Sequence, residues 1–281
     1  MSCYKALIIW DKDKSDTNIQ LIKNSLEPYL TKHVNLITGG VIEFEDVAER
    51  TADITQAELN KYIVVFHFHD HTDDTNTLRP AMQSRLVTYV NAGGVYVGSA
   101  WLATNIGGRD LISAHSNMSE LILFGNVSSH DSINTAADGN LGDFQFNQIS
   151  GLTAANKSKY VERSGGIGSI ILSPNQKFIQ NQFTPVGLTS GALKTGVTTL
   201  LQFHDGGNSN YAPFWVVKPL GKGFVHNIND ALKLFGFSTP TEENKKNLFN
   251  NTGSSLFTGL VPSIFGNIIE SIDLSIIGNH C

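Results

Sequence analysis

The chain has 281 residues, long enough for one large α/β domain with additions or for two small ones, and 41% of them are apolar, as in ordinary globular proteins. Charged residues make up only 16%, with 25 acidic against 20 basic, so the basic footprint needed for nucleic acid or an anionic membrane surface is missing. Two cysteines, Cys3 and Cys281, leave no disulfide framework and no Cys-rich zinc module; they read as free thiols, with a bond between termini or subunits as the alternative.

The first residues pass straight into an apolar run, Ala6-Leu7-Ile8-Ile9-Trp10, without the charged, apolar and small-residue regions of a secretory signal. The expectation is a cytoplasmic chain, or one assembled from the cytoplasm as a virion component would be. That run reads as a strand buried on both faces, and the polar residues Asp11 to Asp16 break it. Ile19, Leu21, Ile22, Leu26 and Leu30 recur at helical spacing, and Val34-Asn35-Leu36-Ile37 reads as a second strand, completing a βαβ unit.

Residues 47–59 read as a helix. Ile63 to His69 form the next strand, ending in the polar cluster Asp70-His71-Thr72-Asp73-Asp74. Leu78, Met82, Leu86 and Val90 repeat every four residues and predict a helix over 78–91, closed by Gly93-Gly94 as a left-handed cap. The strand Val95-Tyr96-Val97-Gly98 then runs into Ser99-Ala100-Trp101. Strands alternating with helices at these lengths predict a mostly parallel sheet between helices.

Beyond Trp101 the pattern loosens, and residues 113–168 carry no assignable periodicity. Short strand-like runs follow at 170–172, 199–203 and 214–217, the last joined through Gly221-Lys222-Gly223 to Phe224-Val225-His226-Asn227-Ile228 as a hairpin. From Gly236 a polar segment leads to an apolar one with Ile264, Ile268, Ile272 and Ile276 at four-residue spacing. Glu270 and Asp273 make it amphipathic, so it reads as a terminal helix packed on its own domain or docked on a second copy, and no membrane span is expected. The expected division is an α/β domain over 1–235 and a C-terminal extension over 236–281.

Three segments together resemble the class I glutamine amidotransferase-like superfamily, nearest its trehalose-utilisation (ThuA-like) branch. They are the first strand with its Asp11 loop, the passage Leu86-x-x-Tyr89-Val90-x-x-Gly93-Gly94-Val95-Tyr96-Val97-Gly98, and Phe214-Trp215-Val216-Val217 with the Gly221-Lys222-Gly223 turn. The resemblance frames residues 4–235 and implies a flavodoxin-like, amidotransferase-like fold with a late β-hairpin, followed here by the helical extension. It also implies a nucleophile just after the Gly98 strand, where this chain has Ala100. Alanine forms no thioester, so glutaminase activity of that kind is not expected. Ser99 sits one residue early. His204, in Gln202-Phe203-His204-Asp205, lacks the acidic partner two positions on, where Gly206 stands. Ser99 and His204 are thus the nearest approach to catalytic residues, and neither completes a triad.

Imidazoles and carboxylates at the end of a strand can converge on zinc, and His67, His69 and His71 would share a face if the strand stayed extended. The preferred reading is plainer: His67 as a buried, hydrogen-bonded strand residue, with 69–74 as loop and helix cap. No metal and no cofactor is therefore assigned; a phosphate-binding glycine loop is also missing.

Open α/β sheets bind ligands beyond the carboxyl ends of their strands, which places Asp11, His67, His69, Ser99 and Trp101 along one candidate edge. Two functions fit. One is a non-catalytic scaffold acting through subunit contacts, with self-association through the C-terminal segment, as in a virion or filament component. The other is a ThuA-like protein that binds or hydrolyses a carbohydrate or small molecule at that edge. The low charge, the missing nucleophile and the apolar C-terminal segment favour the scaffold, which is the expected function; the His/Asp strand end favours the alternative.

Overall fold

A computed structural model describes residues 4–10, 42–69, 77–103, 105–106, 109–125, 143–146, 193–204 and 211–228, with 265, 268, 269 and 272. Asp11, His71, Cys3, Cys281 and the expected βαβ helix and strand over 19–37 lie outside the described residues.

Ten strands are described: β1 (Tyr4–Trp10), β2 (Ile42–Ala48), β3 (Tyr62–Phe68), β4 (Val95–Ser99), β5 (Asn105–Ile106), β6 (Arg109–Asp110), β7 (Asp143–Phe146), β8 (Thr198–His204), β9 (Tyr211–Leu220) and β10 (Gly223–Ile228). Eight of them form one mixed sheet in the order β2-β1-β3-β4-β10-β9-β8-β7. The first five are parallel, and the order β2-β1-β3-β4-β10 is that of flavodoxin-like sheets, with its reversal between β1 and β3. The expected hairpin is present as β9 and β10, and the antiparallel half extends further, through β8 and β7.

The central strands form where apolar runs are continuous. Every residue of β3 and β4 is buried, because both faces are covered. One face of the sheet carries Leu7, Ile9, Val65 and Tyr96, packed on Met82, Leu86, Tyr89 and Val90 of the helix Pro80–Asn91. That helix starts two residues later than its apolar spacing implies, because Pro80 fits the first helical turn, where its missing N–H is not needed. It ends as the Gly-Gly pair predicts. Gly93 takes φ 124°, its amide donates to the Val90 carbonyl, and the Gly94 amide donates to the Tyr89 carbonyl, which together close the last turn.

The hairpin tip docks on this helix end. The Lys222 amide donates to the Asn91 carbonyl at 3.0 Å, and a Cβ on Gly223 would sit 2.1 Å from the Gly94 carbonyl oxygen. Only glycine lets the two backbones approach this closely.

The helix expected over 47–59 does not form as such. Residues Ile42–Ala48 are a strand, followed by a 3-10 turn at Glu49–Thr51 and one helical turn at Gln56–Leu59. Ile42, Phe44 and Ala48 are buried while Glu43 is exposed. Only Val47 and Ala48 of the expected helix fall in β2, which comes last in the order of the described strands.

Residues 111–125, which show no pattern, fold as a helical turn at Leu111–Ala114, a 3-10 stretch at Ser116–Leu121 and a buried run Ile122-Leu123-Phe124. From the C-terminal segment, Phe265 packs on Phe66 and Phe68 with ring centroids 4.9 and 5.8 Å away, and Ile268, Ile269 and Ile272 are buried. Two of the stripe's positions, Ile268 and Ile272, are thus buried within the chain itself. No helix among the described residues is long and apolar enough to cross a membrane.

Candidate functional site

The carboxyl ends of the parallel strands lie level with one another. Trp10 on β1 pairs with Ala48 on β2 and Phe68 on β3, His67 pairs with Gly98 on β4, and Ser99 pairs with Ile228 on β10. A strand alternates its side chains, so His67 and His69 fall on the same side, as their spacing predicts. Both are buried.

The residue that joins them was not visible in the sequence. Directly after β2 the chain makes its 3-10 turn, fixed by the Ala52 amide donating to the Ala48 carbonyl at 2.9 Å and by the Thr51 hydroxyl donating to the same carbonyl at 3.1 Å. This brings the carboxylate of Glu49, fully buried, to the imidazoles of β3. Its Oε1 pairs closely with Nε2 of His67, and its Oε2 lies 3.7 Å from Nε2 of His69. The other ring nitrogen of His67, Nδ1, is 2.7 Å from the hydroxyl of Tyr96, which comes from β4.

A third imidazole completes the ring. His115 follows the helical turn Leu111–Ala114, and its Nε2 lies 3.5 Å from Glu49 Oε1. Its Nδ1 is 3.0 Å from the Leu111 carbonyl. A carbonyl only accepts, so Nδ1 carries the proton and donates, and in the neutral ring Nε2 presents a lone pair toward the carboxylate. The rings of His67 and His115 meet edge-on with centroids 6.0 Å apart, and those of His69 and His115 at 6.2 Å.

The corner carrying His115 is held from the Pro80–Asn91 helix. Gln83, itself buried, donates through Nε2 to the carbonyls of Leu78 at 2.7 Å and Ala114 at 2.8 Å, and its Oε1 accepts from the Asn117 amide at 3.1 Å.

Burial pushes the Glu49 carboxyl pKa up, but the neighbouring His67 and His69, with the side chains of His115 and His67 beside the carboxylate, outweigh this and hold it well below the usual carboxylate range. The Tyr96 hydroxyl moves the other way: burial, aided by the Glu49 charge, raises its pKa, so it stays protonated and can donate to His67.

Of the residues singled out in the sequence, the fold therefore brings His67 and His69 together. Ser99 is buried at the end of β4, and Ala100 opens the 3-10 turn Ala100–Ala103 that also contains Trp101. His204 ends β8, three strands from β4 in the sheet order, an offset of about 14 Å at the usual strand spacing. Asp11 and His71 lie outside the described residues. The two further members of the cluster, Glu49 and His115, carried no sequence signal: neither sits in a spaced motif, and each reaches His67 from a separate stretch of chain.

No protein-family model matches this chain, and no curated protein does. Among solved structures it is similar to the cytoplasmic protein STM1381 of Salmonella typhimurium LT2, at 11% identity and a TM-score of 0.52, over 95% of this chain and 99% of that one. It is also similar to a protein of Bacteroides uniformis described as ThuA-like, at 12% identity and a TM-score of 0.44, over 99% and 95% of the two chains. A third likeness, to an exo-β-1,4-mannosidase of an Opitutaceae bacterium, has 9% identity and a TM-score of 0.41 and spans 36% of that enzyme. At these identities the likeness is one of fold: a flavodoxin-like α/β sheet with a late antiparallel hairpin.

Proposed function

We propose that this protein binds a polar small molecule at the carboxyl edge of its parallel strands, with the cluster of Glu49, His67, His69 and His115 as the chemical centre of the site. One observation carries the reading: four ionisable side chains are buried together beside the β1/β3 reversal of a flavodoxin-order sheet. That reversal is where open α/β sheets form their ligand crevice.

Desolvating a carboxylate and three imidazoles is unfavourable, by several kcal/mol per ion before compensation, and a purely structural scaffold gains nothing from it that apolar side chains would not supply. The cluster therefore favours a site over the scaffold reading, in which subunit contacts would be the protein's whole role. The burial of Phe265, Ile268, Ile269 and Ile272 within the chain weakens the scaffold reading further. The carbohydrate class suggested by the resemblance to the ThuA-like branch is the first to test.

The test is a thermal-shift and calorimetric screen of mono- and disaccharides, sugar acids and other polar metabolites, on the full chain and on His69→Asn. Saturable binding by one class, weakened at least tenfold in a His69→Asn protein that keeps its circular dichroism, supports the reading. Large regular assemblies by light scattering and negative stain, with no ligand in the panel, would return the scaffold role.

A further inference from the structure

We propose that Glu49, His67 and His115 form a binding site for a divalent transition-metal ion, with Zn²⁺ the ion best matched to the donor set. This deepens the reading of the same cluster and rests on it only for the site's location.

The donor atoms of these three residues all lie within 4.8 Å of one another, and all three side chains are buried. Donors bound to one tetrahedral ion at about 2.0–2.1 Å stand roughly 3.3 Å apart, so shifts of up to about 1.5 Å, with the close Glu49–His67 pair opening, form the site. Two imidazoles and a carboxylate are the ligand types that suit zinc and its neighbours, and His69 Nε2, 3.7 Å from Glu49 Oε2, stands where a fourth ligand or the approach to an open position would be.

The hydrogen bonding around the cluster has the form that metal-binding histidines need. His115 donates Nδ1–H to the Leu111 carbonyl, fixing the tautomer that leaves Nε2 as a lone pair. His67 has the Tyr96 hydroxyl at Nδ1 as its outer partner; with an ion bound, Nδ1–H would donate to that hydroxyl oxygen and leave Nε2 as the lone pair, the reverse of the metal-free arrangement in which Tyr96 donates.

The competing occupant is a proton shared between His67 and Glu49. It satisfies Glu49 Oε1 and His67 only. Glu49 Oε2 and His115 Nε2 are buried with no hydrogen-bond partner among the described residues. The 3.5 Å between His115 Nε2 and Glu49 Oε1 is also well beyond the 2.7–2.9 Å of a charge-assisted hydrogen bond. Two acceptors that face each other in a dry interior need a cation between them, and one divalent ion meets all three residues at once.

The deciding experiment uses the full chain, stripped with chelator, incubated with Zn²⁺ or Co²⁺ alone and desalted before metal analysis. The expected result is about one equivalent of Zn²⁺ retained. The Co²⁺ form should show the intense visible d–d absorption of a four-coordinate site, and Zn²⁺ should displace it. His115→Gln and Glu49→Gln should each lower retention at least tenfold. Where a variant fails to fold, the Co²⁺ spectrum of the unaltered chain decides alone.

Substoichiometric retention after desalting, a six-coordinate aqueous-type spectrum, or unchanged binding in both folded variants overturns the proposal. Substoichiometric metal together with saturable ligand binding would overturn the metal site while leaving the small-molecule reading intact. Stoichiometric metal with no ligand in the screen would do the reverse.

Discussion

Gln83 grips the chain on both sides of His115, donating to the carbonyl of Ala114 and accepting from the amide of Asn117. It belongs to the helix that packs on the sheet, so the imidazole is held at the cluster by a side chain outside it. Replacing Gln83 with Leu removes one buried and two part-buried hydrogen bonds and leaves their backbone partners unmet, at a cost of about 2–4 kcal/mol. Urea unfolding should show that loss with an unchanged m-value. If His115 depends on this corner, Zn²⁺ retention should also fall in the folded variant; equal stability in the two proteins would contradict the clamp.

Asn227 plays the same part from β10. Its Oδ1 accepts from the Leu123 amide at 2.7 Å and its Nδ2 donates to the Leu121 carbonyl at 3.0 Å, tying the buried 121–124 run to the sheet. Asn227→Ala should destabilise by about 2–3 kcal/mol. Asn227→Asp keeps the acceptor and loses the donor while burying a charge, so it should be no better than Ala. Protection of the Leu123 amide in hydrogen exchange should drop in both variants.

Gly98 pairs with His67 across β3 and β4, and a Cβ there would stand 2.7 Å from the Tyr96 ring, 3.1 Å from its hydroxyl and 3.2 Å from Asn227 Nδ2. Gly98→Ala must push Tyr96, and with it the hydroxyl partner of His67 Nδ1. A loss of about 1–3 kcal/mol is expected from overpacking. Tyr96→Phe deletes only the hydroxyl and gives the comparison. If Gly98→Ala leaves both stability and the His67 ring resonances in place, the strand has more slack than its contacts imply.

His226 lies on the same sheet and behaves differently from the cluster. Burial pushes its pKa down to about 3, and Trp215 donates its indole N–H to Nδ1 at 3.1 Å, which fixes a neutral ring. The unfolded chain takes up this proton near pH 6.5 and the folded protein does not until about pH 3, so this residue's contribution is full above 6.5 and shrinks as pH falls through that window. The slope for one proton is about 1.4 kcal/mol per pH unit. Wild type should therefore lose stability relative to His226→Gln by that slope between pH 6 and pH 4. Parallel curves would mean that the ring is protonated in the fold.

Phe265 tests whether the C-terminal segment packs on its own sheet. Phe265→Ala removes a ring packed on Phe66 and Phe68 and should cost about 3–5 kcal/mol. Native mass by light scattering should not change. A variant of unaltered stability but altered mass would show instead that this segment serves an interface between copies.

Much of the fold is legible in the chain, because it rests on local periods. The continuous apolar runs of β1 and β3, the four-residue repeat ending at Val90, the Gly93-Gly94 stop and the Gly221-Lys222-Gly223 turn each dictate one element through backbone sterics and one-sided burial. The helix expected over 47–59 was misplaced because Val47 and Ala48 complete β2 and the chain then makes a 3-10 turn at Glu49–Thr51 before its one helical turn at Gln56–Leu59, while residues 42–46 carried no assignment. Period also determined that His67 and His69 share a side.

What gathers around them was decided only in three dimensions. Glu49 comes from a turn after β2, and β1 separates that strand from β3 in the sheet; His115 comes from a corner pinned by Gln83. No spacing rule links residues brought together by crossovers and sheet order. Burial then changes their chemistry, since a carboxylate and imidazoles that water would solvate singly must, in a dry interior, satisfy one another or hold an ion.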